Sequence, residues 1–159
     1  MFDPKQFSQL IHDTLADLDP ALCSRSAVNL LLGTAAQESL FGTYLKQIKG
    51  PALGVFQMEP MTEIDIWDHY LAYRPHLKNM VVKTTGVKHP DDYHLRGNLL
   101  YQIAMARVHY FRVPEPLPDA DDVQALAEYW KRFYNTHLGL GNAREFVKNY
   151  RWYVMENDG

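Results

Sequence analysis

The chain has 159 residues, of which 47% are hydrophobic and 22% charged, and its formal net charge is −3. This composition is that of a folded globular domain and excludes a disordered or collagen-like chain. A single cysteine, Cys23, excludes a disulfide scaffold and a cysteine-rich zinc module.

The acidic balance argues against a nucleic-acid-binding surface. The N-terminus lacks a basic segment followed by an apolar run, so we expect synthesis in the cytoplasm without a signal peptide. The longest apolar run, around residues 27–36, is too short to span a bilayer. No stable membrane insertion is therefore expected.

Apolar residues at helical spacing predict a first helix over residues 4–18, with Pro4 in its first turn. A second helix is predicted to start near Ser24 or Ser26 and to run toward Phe41. It is apolar on nearly every side, which is typical of a helix buried at the centre of its domain.

Residues 43–58 carry turn-forming glycine and proline with little periodicity, which predicts a structured loop or short hairpin. Pro60 is predicted to open a third helix that Pro75 ends, and residues 75–92 are predicted to be loop-like.

Three more helices are predicted in the rest of the chain. Their markers are the apolar positions 95–108, the stripe of residues 123–134 after an aspartate cap, and the aromatic positions 146–153; residues 135–141 are predicted to form a turn. No composition shift marks a domain boundary. We therefore expect a single domain over residues 1–159, mainly α and α+β at most, with a buried central helix and a short loop or hairpin flanking a cleft.

Glu38 is a carboxylate on the apolar face of this central helix, seven positions after Leu31 and three after Ala35. Burial and the negative end of the helix dipole both favour its protonated form. At an ordinary pKa of about 4.3 only roughly 0.2% of such groups hold a proton at neutral pH, whereas a pKa of about 6 raises this to roughly a tenth. Glu38 is therefore either a general acid or a side chain turned to solvent beyond the buried part of the helix.

Two sets of motifs surround this residue. Glu38-Ser39 is followed by the glycine-containing segment from Gly50 to Gln57, which Pro60 and Thr62 close. Downstream, Tyr134-Asn135 is followed by Gly139 and Gly141. In this order the motifs resemble the lysozyme-like superfamily, in particular the lytic transglycosylases and goose-type lysozymes, across about residues 24–150.

The resemblance implies a role for each matching position. Glu38 is expected to be the catalytic acid, which protonates the glycosidic oxygen between N-acetylmuramic acid and N-acetylglucosamine and then serves as base. Ser39 is expected to steady that carboxyl or a sugar substituent, and Gly54 to let the backbone approach the sugar. Gln57 is expected to bind an N-acetyl group or a water.

Tyr134 is expected to place its hydroxyl near Glu38, and Asn135 to hold the turn that delivers Tyr134. Each of these roles has a structural alternative. Ser39 can bond a backbone carbonyl, Gly54 can serve a turn with positive φ, and Tyr134 can pack in the core.

The chain departs from the family pattern at two places. Glu59 stands before Pro60 where the family usually has an apolar residue, so it is a possible second acid or, as we favour, a carboxylate stabilised by the dipole of the following helix. Asn135 is followed by a longer segment before Gly139 than is usual.

The expected activity is cleavage of peptidoglycan glycan strands, by a lytic transglycosylase or a muramidase with one catalytic glutamate. The size and the missing signal suggest a phage lysin that acts at the bacterial cell wall, either free or as part of the virion with other virion proteins as partners. The alternatives are a phage-particle structural or binding protein with a lysozyme-like fold, and a chitinase- or chitosanase-like hydrolase. No cofactor is expected, and no metal, because the seven histidines lack the spacing of a zinc hydrolase.

Overall fold

The computed structural model describes residues 1–135 and 141–156. These residues form a mainly helical single domain, as predicted. Eight α-helices lie within them: α1 (Pro4–Leu18), α2 (Arg25–Ser39), α3 (Pro60–His69), α4 (Pro75–Thr85), α5 (Asp92–Gly97), α6 (Leu99–Phe111), α7 (Val123–Phe133) and α8 (Ala143–Tyr150). Short 3-10 turns follow α1 and α3 (Pro20–Leu22 and Leu71–Tyr73), and a π-helical turn (Arg151–Met155) follows α8. None of these helices is both long enough and apolar enough to cross a membrane.

The first two helices begin at side-chain caps. The Asp3 carboxylate accepts a hydrogen bond from the Gln6 backbone N–H (2.9 Å), and the Ser24 hydroxyl accepts one from the Ala27 N–H (3.1 Å). The predicted bounds of α1 are confirmed. The central position of α2 is confirmed as well, because Leu31 and most of its neighbours are buried and α2 packs against α1, α6, α7 and α8.

Two helical predictions are wrong. Residues 75–85 form α4 rather than a loop, because Pro75, interpreted as the end of a helix, opens the next one, and Leu77, Val81 and Thr85 bury one face of it at i, i+4 and i+8. The helix predicted over positions 95–108 is divided into α5 and α6 at Asn98, whose side chain caps α6 and also donates to the Thr85 carbonyl (3.1 Å).

The segment between α2 and α3 is the loop predicted for residues 43–58. It carries two isolated β-bridges, which join Leu53 to Lys46 and to Met58, and forms no strand. Its backbone is fixed to the helical body by Val55, whose N–H donates to the buried Gln102 side chain on α6 (2.7 Å). This anchor holds the loop beside the end of α2.

The C-terminal part of the chain brings α7 and α8 against α2. Asp122 caps α7, as the sequence predicted, by accepting a hydrogen bond from the Ala125 N–H (3.0 Å). Most of the turn predicted over 135–141 lies outside the described residues. The predicted last helix is α8, and Tyr153, expected on it, lies in the π-helical turn that follows.

Candidate active site

The central helix ends directly after Glu38 and Ser39, two residues earlier than predicted. Leu40 and Phe41 both adopt left-handed backbone conformations (φ 49° and 58°), which end the helical hydrogen-bonding pattern, and Gly42 follows at φ 86°. Left-handed non-glycine residues cost about 1–3 kcal/mol each and are concentrated at functional sites. The backbone strain in this chain therefore lies next to the carboxylate that the sequence singled out.

Ser39 holds this turn in place. Its hydroxyl donates to the Ala35 carbonyl (3.1 Å) and accepts from the Gly42 N–H (2.8 Å), and the side chain is fully buried. The expected contact with a sugar or with the Glu38 carboxyl is therefore wrong. The structural alternative, a bond to a backbone carbonyl near the helix end, describes the residue.

The Glu38 carboxyl lies at a partly exposed position between α2 and α7. Its Oε1 accepts a hydrogen bond from the indole Nε1–H of the buried Trp130 (3.0 Å). Removal from water raises the pKa of Glu38 to about 7, against the opposing effects of Trp130, Asn135 and the Lys131 charge. Close to half of the Glu38 carboxyls therefore hold a proton at neutral pH.

The end of α7 supplies the polar groups around this carboxyl. The Lys131 ammonium donates to the Asn135 side chain (2.9 Å) and to the Gly141 carbonyl (2.6 Å), so it links the two ends of the segment 136–140. The Asn135 N–H donates to the Trp130 carbonyl (3.0 Å). Asn135 thus holds the end of α7, in line with its expected role in the turn that carries Tyr134.

Tyr134 joins the end of α7 to the loop. Its hydroxyl donates to the Phe56 carbonyl (2.6 Å), and its ring stacks on Tyr110 at 5.1 Å between centroids. Burial, and to a smaller extent the nearby Glu38, raises the pKa of Tyr134 well above its ordinary value, so the hydroxyl stays protonated. The Tyr134 hydroxyl is therefore engaged in holding the loop, and core packing describes its ring.

The loop carries the two remaining predicted binding residues. Gly54 has φ 82°, and a Cβ atom there would collide with the Leu95 carbonyl and the Gln102 side chain, so the turn alternative explains this glycine. Gln57 also has a positive φ (48°), and its Nε2 donates to the Gly54 carbonyl (2.8 Å). Its Oε1 accepts no hydrogen bond from the described residues.

Other carboxylates near these elements have structural roles. Glu59 is exposed, precedes the first turn of α3 and makes no side-chain capping bond, so it matches the favoured helix-dipole interpretation rather than that of a second acid in a shielded site. Asp91 caps α5 by accepting from the His94 N–H (3.1 Å), and Asp65 pairs with Arg112 (2.8 Å).

Trp130 and Lys131 were not predicted as site residues. Trp130 lies on the apolar stripe of α7 and was interpreted as a core residue, yet a buried indole N–H needs an acceptor. That requirement was the one signal in the sequence that could have linked Trp130 to Glu38. In the part of the chain that the structure describes, no three His, Cys, Asp or Glu side chains group as metal ligands do.

A comparison of the chain with protein-family models, with curated proteins and with solved structures gives no match. The function that follows is therefore argued from the geometry around Glu38 and from the motif resemblance.

Proposed function

We propose that the chain is a single-glutamate enzyme that cleaves the glycan strands of peptidoglycan, with Glu38 as the general acid. The observation that carries the proposal is the Glu38 carboxyl itself, which is partly exposed, bonded to a buried indole and has a pKa of about 7. A general acid works best when its pKa lies near the operating pH.

The surroundings of Glu38 support this assignment in two ways. Its position on a buried helix, whose end Ser39 fixes, limits the freedom of the carboxyl, and a fixed acid is what proton transfer to a bound glycosidic oxygen requires. The loop residue Gln57 keeps a carbonyl oxygen unused by the described residues, which suits a hydrogen bond to an N-acetyl N–H.

A sugar-binding cleft between the loop 43–58 and the end of α7 is part of the proposal. Gln57 and the loop lie on one side, while Tyr134 and Asn135 lie on the other, and the Tyr134–Phe56 hydrogen bond joins the two. Glu38 is next to both, because it bonds to α7 through Trp130 and precedes the loop in the chain.

The absence of a candidate partner acid favours an anhydro-forming route. Two-acid glycosidases need a second carboxylate about 5–9.5 Å from the first, and Glu59, Asp65 and Asp91 have the structural roles described above. In the proposed reaction Glu38 donates its proton to the glycosidic oxygen and the C1–O bond breaks. The C6 hydroxyl of the same muramic acid then attacks C1 and returns a proton to Glu38, which gives a 1,6-anhydro sugar.

The test is digestion of purified peptidoglycan sacculi, with mass spectrometry of the soluble products. We expect the wild-type chain to release anhydro-muropeptides and Glu38→Gln to release them about 10²–10⁴ times more slowly, which is the usual contribution of a general acid. Glu128→Gln is the matched control, because Glu128 is an exposed glutamate two residues from Trp130. It should digest sacculi at the wild-type rate.

Each product class has a distinct meaning. Products heavier by one water would show hydrolysis and overturn the anhydro route, while a chain that digests chitin oligomers but not sacculi would be a chitinase-like hydrolase. Equal rates for the wild type and Glu38→Gln would remove the enzyme assignment. The remaining alternative would then be a structural or binding protein of a phage particle.

A lysin carried by phage is the biological setting that we propose, with the cell wall as its place of action. Peptidoglycan strands are then its partners, together with other virion proteins if the chain is built into the particle. The net charge of −3 gives no electrostatic attraction to an anionic wall, which favours delivery by a particle over free diffusion.

A further inference from the structure

His109 lies on α6, and its side chain packs against the site without a part in the proposed proton transfer. Its ring meets the Tyr134 ring edge to face, with 5.0 Å between centroids. Tyr134 is the residue whose hydroxyl holds the loop at Phe56 and whose pKa is raised by Glu38. His109 therefore borders the same group of side chains as the proposed acid.

The hydrogen bonding of His109 fixes its tautomer. Its Nδ1 lies 2.8 Å from Nη2 of Arg112, and a guanidinium can only donate, so Nδ1 is the acceptor. The other guanidinium nitrogen of Arg112 donates to Asp65 (2.8 Å), which in turn pairs with His69 (2.8 Å). Arg112 is thus held at both ends. A neutral His109 in this arrangement must carry its proton on Nε2.

The ring is neutral under ordinary conditions. Burial, aided by the positive charge of Arg112, lowers the pKa of His109 to about 3. The ring is nevertheless partly exposed, and its Nε2–H donates to no acceptor among the described residues. A fixed donor at a mostly buried position is costly without an acceptor, so a ligand that brings one would gain affinity there.

We propose that His109 is a substrate-positioning residue, held by Arg112 as the Nε2–H tautomer so that it donates a hydrogen bond to an uncharged oxygen of the glycan. The N-acetyl carbonyl oxygen is the acceptor of this kind that peptidoglycan and chitin share. The inference rests on the proposed function, because it requires a sugar in the site. It adds to that function a donor that recognises acetylated sugars without contributing charge.

The test uses a non-cleaving background, Glu38→Gln, titrated with a hexamer of N-acetylglucosamine. Two NMR signals are followed: the indole N–H of Trp130, which reports sugar near the acid, and the ring nitrogens of His109. We expect the His109 ring to give the spectrum of a neutral Nε2–H tautomer between pH 5 and pH 8. Both signals should shift when sugar is added.

The added variant is His109→Phe, which keeps an aromatic ring against Tyr134 and removes the donor. It should weaken hexamer binding about fivefold to tenfold, as expected for one lost hydrogen bond. His76→Phe is the matched control, since the His76 side chain is 81% exposed on α4, and it should bind the hexamer with the affinity of the background chain.

The outcomes separate the two proposals. If sugar shifts Trp130 but not His109, or if His109→Phe binds as tightly as the background chain, the positioning role falls and the proposed function stands. An imidazolium or an Nδ1–H tautomer at pH 6 also overturns the positioning role, even if His109→Phe does not fold. If the hexamer and solubilised peptidoglycan strands shift neither signal, both proposals fall together.

Discussion

Two glutamates in this domain have raised pKa values for the same first reason, removal from water, yet they occupy opposite environments. Glu38 is partly exposed at the end of α2 and accepts a hydrogen bond from Trp130. Glu63 on α3 is 1% exposed, and its Oε2 accepts from the Tyr101 hydroxyl and from the Asp91 N–H. Its Oε1 is buried with no partner among the described residues.

The comparison shows that a raised pKa alone does not make a general acid. Both carboxyls bind a proton more readily than an exposed glutamate, but only Glu38 has a surface on which a substrate can receive it. Glu63 instead joins α3 to the segment before α5 and to Tyr101 on α6, whose hydroxyl also accepts from Trp67 (2.9 Å). We assign Glu63 to stability and Glu38 to chemistry, and four predictions test that division.

The largest effect is expected from Glu63→Leu. This change leaves the Tyr101 hydroxyl and the Asp91 N–H without their acceptor, which should lower the free energy of unfolding by about 2–4 kcal/mol. Urea denaturation at pH 7 measures it, with Glu128→Leu at an exposed position as the control. Sacculus digestion per folded molecule should stay at the wild-type rate, and a loss of digestion by folded Glu63→Leu would contradict the division.

The second prediction concerns stability as a function of pH. Folding raises the pKa of Glu38 from 4.5 to about 7, so the native chain binds this proton more tightly than the unfolded chain. The resulting stability is present below pH 4.5 and is lost as the pH rises through 7, up to about 3 kcal/mol. Glu38→Gln lacks this loss, so its free energy of unfolding should exceed that of the wild type at pH 8 by up to that amount, relative to the difference at pH 4.

Urea denaturation of both proteins at several pH values measures the effect. The contribution of Glu63 is the same in both proteins and cancels in the difference. Curves that run parallel from pH 4 to pH 8 would mean that Glu38 titrates as an ordinary exposed carboxyl.

A smaller effect is expected when the indole donor is removed. Trp130→Phe deletes a hydrogen bond that favours the ionised carboxyl, so the pKa of Glu38 should rise further and the alkaline limit of activity should move up by as much as about one pH unit. The lost core volume should cost about 1–3 kcal/mol in stability.

Trp67→Phe is the matched control for this change, because its indole bonds to Tyr101 near Glu63. It should destabilise the chain to a similar degree and leave the pH profile of activity in place. An equal shift of the pH profile in both variants would show that the indole bond to Glu38 is not the cause.

The smallest effect is expected from Tyr134→Phe. Loss of the hydrogen bond to the Phe56 carbonyl should cost about 1 kcal/mol in stability and loosen the loop, which should raise KM more than it lowers kcat. Tyr110→Phe removes a comparable bond, to the Thr34 hydroxyl (2.8 Å), away from the loop. If KM rises equally in both variants, the loop is not what Tyr134 controls.

The same comparison separates what the sequence predicts from what it does not. Helix starts at Asp3, Ser24 and Asp122 follow from local capping chemistry, and the apolar surroundings of Glu38 follow from helical periodicity. The start of α4 was missed because a proline can end one helix or open the next. Local pattern does not decide between these alternatives.

The partners of both carboxyls come from distant parts of the chain. Trp130 lies 92 residues from Glu38, and Tyr101 lies 38 residues from Glu63. No local periodicity encodes such pairs, so the sequence singled out Glu38 but did not predict Trp130 as its donor, and it did not mark Glu63 at all. Ser39 was misassigned for the related reason that its hydroxyl acts within a left-handed turn that helical spacing does not predict.

The most direct test is a titration of the Glu38 carboxyl carbon by NMR, with Glu38→Gln used to assign its signal. We expect a midpoint near pH 7, at which the carboxyl is half protonated in the free protein. A midpoint near 4.5, the ordinary value, would contradict the account, because a glutamate that is ionised at neutral pH cannot serve as the proton donor.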